Sequence, residues 1–188
     1  MSQQIDLNLL RDTILSNQRQ GLVNPTEPNK VVLVSREGQL SLGQQVSAED
    51  QRNLSKVTQD TFHGRRENEQ VIATTKMPRN TQKITTSENV EGWLYSFRCE
   101  LGRDFKMFAY FDGSYYQVIV IEPVVESKYQ SAHTGHIFST GKICFGAGYN
   151  SGRPTLEEAY SKSVLWANGF SAMMDSGLAT FPFSINNL

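Results

Sequence analysis

A thiol and an imidazole eight positions apart are the residues of this chain best suited to covalent chemistry. They are His136 and Cys144, in the run Thr134-Gly135-His136-Ile137-Phe138-Ser139-Thr140-Gly141-Lys142-Ile143-Cys144. Acyl transfer needs a nucleophile that is also a good leaving group, and sulfur is both. A thioester lacks much of the resonance stabilisation of an ester and is primed for attack by an amine. During that attack negative charge develops on the carbonyl oxygen, where one fixed donor is worth roughly 10²–10³ in rate. His136 can supply an N–H for that charge or take a proton from the incoming amine, and the residues alone leave both roles open. The same pair also suits a cysteine hydrolase that hands its acyl group to water, although no third, orienting group is evident. Against both stands the bland assignment of Cys144 as a small buried hydrophobe and of His136 as a loop residue. Cys99, inside the strand-like Phe97-Arg98-Cys99-Glu100-Leu101, reads as structural. His133 with His136 and Cys144 falls short of the four ligands of a structural zinc site. Gly146-Ala147-Gly148 lacks the Lys and Ser/Thr placement of a phosphate loop. No metal and no cofactor are expected.

The pattern resembles the E2 ubiquitin-conjugating family. In that family a His-Pro-Asn signature precedes an aliphatic and an aromatic residue, a glycine turn, an Ile-Cys pair and a Pro-Thr-Leu helix start. Here Thr134-Gly135-His136 stands at the signature, followed by Ile137-Phe138, Gly141 and Ile143-Cys144; Pro154-Thr155-Leu156 begins ten positions after the cysteine. Histidine replaces the family's asparagine, and Gly152-Arg153 replaces its usual Trp-Ser. The first departure is similar to bacterial E2-like proteins, including those of antiviral, CBASS-type defence systems. The resemblance covers about 134 to 174. It implies a UBC-like fold, with Cys144 as thioester carrier and His136 beside it. It also implies an E1-like or other activating protein as donor and a target amine as acceptor. A ubiquitin-like protein or the C-terminus of a nucleotide synthase would be the conjugated protein. A noncatalytic module that keeps the E2 shape is a further alternative.

The elements that must hold these residues are legible in outline. Trp93-Leu94-Tyr95-Ser96-Phe97, Phe105 to Phe111 and Tyr115 to Ile121 are aromatic and β-branched runs separated by Gly102-Arg103-Asp104 and Asp112-Gly113-Ser114, which predicts an antiparallel meander. Thr155 and Glu158 have capping-box spacing. Leu156, Tyr160, Val164, Ala167, Phe170 and Met174 then recur at helical intervals up to Gly177, predicting a helix with one face on the sheet. Upstream, Ile5, Leu9, Leu10 and Ile14 predict an amphipathic helix ending near Gly21, a candidate surface for docking the donor. Asn24 to Asn29 reads as a connector, and Val31 to Val34 with Leu40 to Leu42 as a hairpin. The polar stretch from 47 to 66 predicts a further helix on Leu54, Val57 and Phe62, with His63 and Gly64-Arg65-Arg66 as solvated surface. The expected class is α+β: a UBC-like antiparallel meander with flanking helices, in a single domain over 1–188. No motif bears on the portion up to about residue 88.

Composition excludes several partners. The 188 residues are 38% hydrophobic, enough for one core, and 18 basic against 19 acidic residues leave a net charge of −1, so no nucleic-acid partner is indicated. There is no basic leader running into an apolar stretch and no run of roughly 20 apolar residues, so the expectation is a cytoplasmic protein without membrane contact.

Overall fold

The computed structural model describes residues 32–42, 46–47, 50–56, 69–146, 152–178 and 181–182. The helix expected over 5–21, the connector at 24–29 and the segment from 57 to 68, with His63 and Gly64-Arg65-Arg66, lie outside the described residues.

The described residues are mixed α and β, with two antiparallel sheets. Short strands β1 (Val32–Val34), β2 (Leu40–Leu42) and β3 (Ser55–Lys56) form one sheet in the order β2-β1-β3. Strands β4 (Gln82–Thr85), β5 (Glu91–Arg98), β6 (Asp104–Phe111) and β7 (Tyr116–Glu122) form the other in sequence order. Its turns follow from local chemistry. Gly102 and Gly113 take φ of +79° and +103°, which a side chain rarely tolerates. Asp112 closes its turn by accepting from the amides of Ser114 and Tyr115, each at 2.9 Å. Alternation does the rest: Trp93, Tyr95, Phe97, Phe105, Met107, Ala109, Tyr116, Val118 and Val120 are all buried on one face.

Two short helical segments are found among the described residues of the first half of the chain. Asp50–Asn53 is a single 3₁₀ turn, and α1 spans Glu69–Thr75. The helix expected across 47–66 is therefore replaced, in its described part, by a turn and a strand. Ser47 Oγ bonds the Asp50 carboxylate at 2.6 Å and accepts its amide, and Ser55–Lys56 then pairs with Leu33 and Val34. Pairing with β1 satisfies that backbone, which weak helical periodicity could not outweigh.

The long helix α2 (Leu156–Ser176) starts as its sequence indicates. Thr155 Oγ1 accepts from the Glu158 amide at 3.1 Å, and Gly177 ends the helix at φ +65°. Against the expectation of one buried face, nearly every residue from Leu156 to Ser171 is buried, since β1, β3 and α1 also pack on it. Several of the polar positions that suggested a wet face are small or internally bonded. Ser163 bonds Tyr160 O at 2.7 Å and the Tyr95 hydroxyl at 2.8 Å, while Asn168 accepts from the Glu100 amide at 2.9 Å. Among the described residues no helix is long and apolar enough to cross a membrane.

Candidate active site

The outer edge of β7 carries the segment around Cys144. Val120 donates to Gly141 O and Ile143 donates to Val118 O, both at 2.9 Å, and further along Tyr116 and Arg153 exchange both backbone bonds at 2.7 and 2.9 Å. Lys142 lies opposite Ile119, and Arg153 opposite Tyr116. An uninterrupted antiparallel ladder would put residue 145 where 153 stands, so the chain between the two attachments is eight residues longer than that ladder needs. The spacing from Cys144 to Pro154 thus has a physical content: both ends of the loop are tied to one strand edge.

Residues 136–138 fold back on the other side. Phe138 donates to Lys142 O and Cys144 to His136 O, both at 2.8 Å, with Ile137 opposite Ile143. Gly141 makes the turn at φ +77°. Val118, Ile143 and Ile137 form one row across three chain segments, all 0% exposed toward the core. Alternation sends the adjacent rows to the opposite face: Ile119, Lys142 and Phe138 in one, Gln117, Cys144 and His136 in the other. Lys142 Nζ lies 5.4 Å from the Phe138 ring centroid, as partners on one face must. The two residues singled out by type and spacing are therefore opposite partners in a hairpin.

Cys144 is 7% exposed, and its thiol donates to Gly146 O at 3.4 Å. That is little access for a nucleophile, and an acyl donor reaches the sulfur only if its contact with the Gly146 carbonyl opens. His136 is half-buried at φ +50° and meets Phe181 edge-on, with ring centroids 5.2 Å apart. Its Nδ1 is buried and has no hydrogen-bond partner among the described residues. Burial, then the neighbouring His133, lowers its pKa, so the ring is neutral at pH 7. The fold favours the neutral form, so this contribution to stability is full above the ordinary value of 6.5 and is lost as pH falls through the lower native value. Wild-type protein is expected to lose stability on that acid limb, and His136→Gln to flatten it, in urea denaturation across pH. Equal slopes would remove His136 as the source.

The loop's far end is held by Arg153, 2% exposed, whose guanidinium donates to Phe145 O and lies 5.6 Å from the Phe145 ring centroid. Gly152 has no room for a side chain: a Cβ there would stand 2.6 Å from Gln117 Nε2 and from Tyr115 Cβ, and 2.7 Å from Tyr116 O. Gly152→Ala is expected to cost about 1–3 kcal/mol by urea denaturation. An unchanged midpoint would mean that the loop end shifts freely.

Gln117 and Asp112 are the members of this site that motif reading missed. The signal was present as one amide inside the apolar run Tyr115 to Ile121. Gln117 is 1% exposed and donates from Nε2 to Asp112 Oδ2 at 2.7 Å. Burial opposes ionisation of Asp112. The amides of Tyr115 and Ser114, the Gln117 side chain and the Lys142 charge outweigh it and hold the carboxyl below the usual carboxylate range. Asp112 also lines a cavity of about 550 Å³ with Glu69, Trp93 and Tyr116, and Cys144 and His136 are not part of its wall.

The remaining candidates stand apart from this row. His133 is exposed, with its amide on Ser131 Oγ at 3.1 Å, and Cys99 is buried with Sγ 3.3 Å from Ser171 Oγ. Among the described residues no group of three or more His, Cys, Asp or Glu side chains is arranged to hold a metal ion. Comparison with known proteins gives no match to a family model, a curated protein or a solved structure.

Proposed function

We propose that this protein is an E2-like conjugating enzyme that carries the C-terminal acyl group of a protein as a thioester on Cys144 and passes it to an amine. The observation that carries this reading is the pairing of Cys144 with His136 across a hairpin tied to the β7 edge, with the loop returning at Arg153 directly before the helix start Pro154-Thr155-Leu156. An antiparallel meander, then a nucleophile loop, then a long helix is the order that the UBC-like resemblance implies. The neutral His136, with a buried nitrogen able to accept, suits removal of a proton from an attacking amine. The hydrolase alternative uses the same pair but gives the acyl group to water, and it is separated from transfer by whether added amine captures the acyl group.

On this reading the donor is an E1-like or other activating protein. The cargo is a ubiquitin-like protein or a nucleotide-synthase C-terminus, in a bacterial antiphage setting. The test uses a minimal donor, N-acetylglycyl thiobenzyl ester. Thiol exchange is expected to add one acetylglycyl mass at Cys144, stable to gel filtration, removed by reductant and discharged by added amine. Failure of the intact protein to acquire that mass, or its immediate release as free acid whether or not amine is added, would overturn the proposal.

A further inference from the structure

Gln117 is the β7 residue between the point where the loop leaves the strand edge, Ile143 on Val118, and the point where it returns, Arg153 on Tyr116. Its amide orientation is set twice. A carboxylate only accepts, so the 2.7 Å bond to Asp112 Oδ2 must come from Nε2, which turns Oε1 away from Asp112. The backbone of Gly152 then closes on the same amide, where even a methyl group would stand 2.6 Å from Nε2. Oε1 is left buried with no hydrogen-bond partner among the described residues. A buried acceptor without a donor is destabilising, and what relieves it is an N–H or O–H entering its row. That row is the one shared with Cys144 and His136.

We infer that Gln117 Oε1 accepts an N–H of the attacking amine and makes the site selective for primary amines, with Asp112 as the positioning residue that fixes the amide. This rests on the thioester reading above and deepens it. The nitrogen lone pair forms the C–N bond at the thioester carbonyl. Of the two N–H bonds of a primary amine, one is held by Gln117 Oε1 and the other loses its proton to His136 Nδ1. The C–S bond breaks with its electron pair on Sγ, which takes that proton back from His136. Thioester and primary amine thus give amide and thiol with both side chains restored. A secondary amine has a single N–H and forfeits one of these partners. Gln117 and Cys144 are 1% and 7% exposed, so the amine meets both when the contact of Sγ with the Gly146 carbonyl opens.

The experiment loads the intact protein with N-acetylglycyl thiobenzyl ester, removes the excess and follows loss of the acyl mass on adding n-butylamine or N-methylbutylamine. Each rate is divided by that of the same thioester with the same amine in solution. Wild type is expected to favour the primary amine by about tenfold, and Gln117→Met, similar in length without the acceptor, to lose that preference. Asp112→Asn lets the Gln117 amide invert and is expected to show a smaller loss. It carries the same test if Gln117→Met fails the cooperative-unfolding check. Wild-type selectivity retained in the folded variants would overturn the inference and leave the thioester intact. A wild type that never acquires the acyl mass would overturn both.

Discussion

Cys144→Ala is expected to abolish the reductant-sensitive adduct and to lower amide formation by at least about 10³-fold, down to background aminolysis of the donor. The loss belongs to chemistry and not to folding. Cys144 is a small side chain whose removal leaves a void smaller than a methionine or leucine truncation, so its stability cost is about 1 kcal/mol. Cys144→Ser separates the roles of nucleophile and leaving group. An oxygen ester at this position is expected to resist reductant and to discharge to amines far more slowly, so acylated protein accumulates. Cys99→Ala is the matched control. Its sulfur is buried 3.3 Å from Ser171 Oγ between the end of β5 and α2, and its removal is expected to leave the adduct on Cys144. An adduct and a biological activity that both persist in Cys144→Ala would leave a noncatalytic binding module as the better reading. Intact-mass spectrometry on the three variants decides among these outcomes.

Trp166→Ala is expected to remove about 3–5 kcal/mol of stability, a large share of the 5–15 kcal/mol typical of a domain. Trp166 is fully buried, stacks on Phe170 at 4.8 Å and meets Phe105 edge-on at 6.0 Å. Its indole N–H also donates to Gly135 O at 2.8 Å, tying α2 to the residue before His136. Trp166→Phe keeps most of the apolar contact but leaves that carbonyl unpaired, for a smaller cost of about 1–3 kcal/mol. Urea midpoints for the two variants measure packing and the hydrogen bond separately. Equal losses would mean that the Gly135 bond carries nearly all of the effect.

Some of this architecture is written in local chemistry. Strands β5 to β7 are legible because each is a β-branched and aromatic run bounded by a turn that Gly102 or Asp112-Gly113 closes without help from elsewhere. The same is true of α2, since Thr155 and Gly177 cap it with their own atoms. Helix α1 was not legible. Its seven residues carry no periodic face, and Glu69 at its start is anchored from far along the chain, accepting from Trp93 Nε1 at 3.2 Å and from the Tyr116 hydroxyl at 2.6 Å. The strand at Ser55–Lys56 depends in the same way on β1 being there to pair with it.

The candidate site divides along the same line. His136 and Cys144 could be chosen from sequence by type and motif spacing, and the hairpin closed at Gly141 that brings them into register is a short-range consequence of the chain itself. Gln117 and Asp112 could not. The register of Gln117, and through it of Asp112, relative to Cys144 depends on which edge of β7 receives 141–143 and on Arg153 rejoining at Tyr116. A one-residue slip in that pairing would send Gln117 to the wrong row. Residue types and spacing by themselves singled out a thiol and an imidazole suited to acyl chemistry. The tertiary pairing alone decided that a buried amide oriented by a carboxylate shares their row, because register between distant segments is set by the whole core and not by either segment.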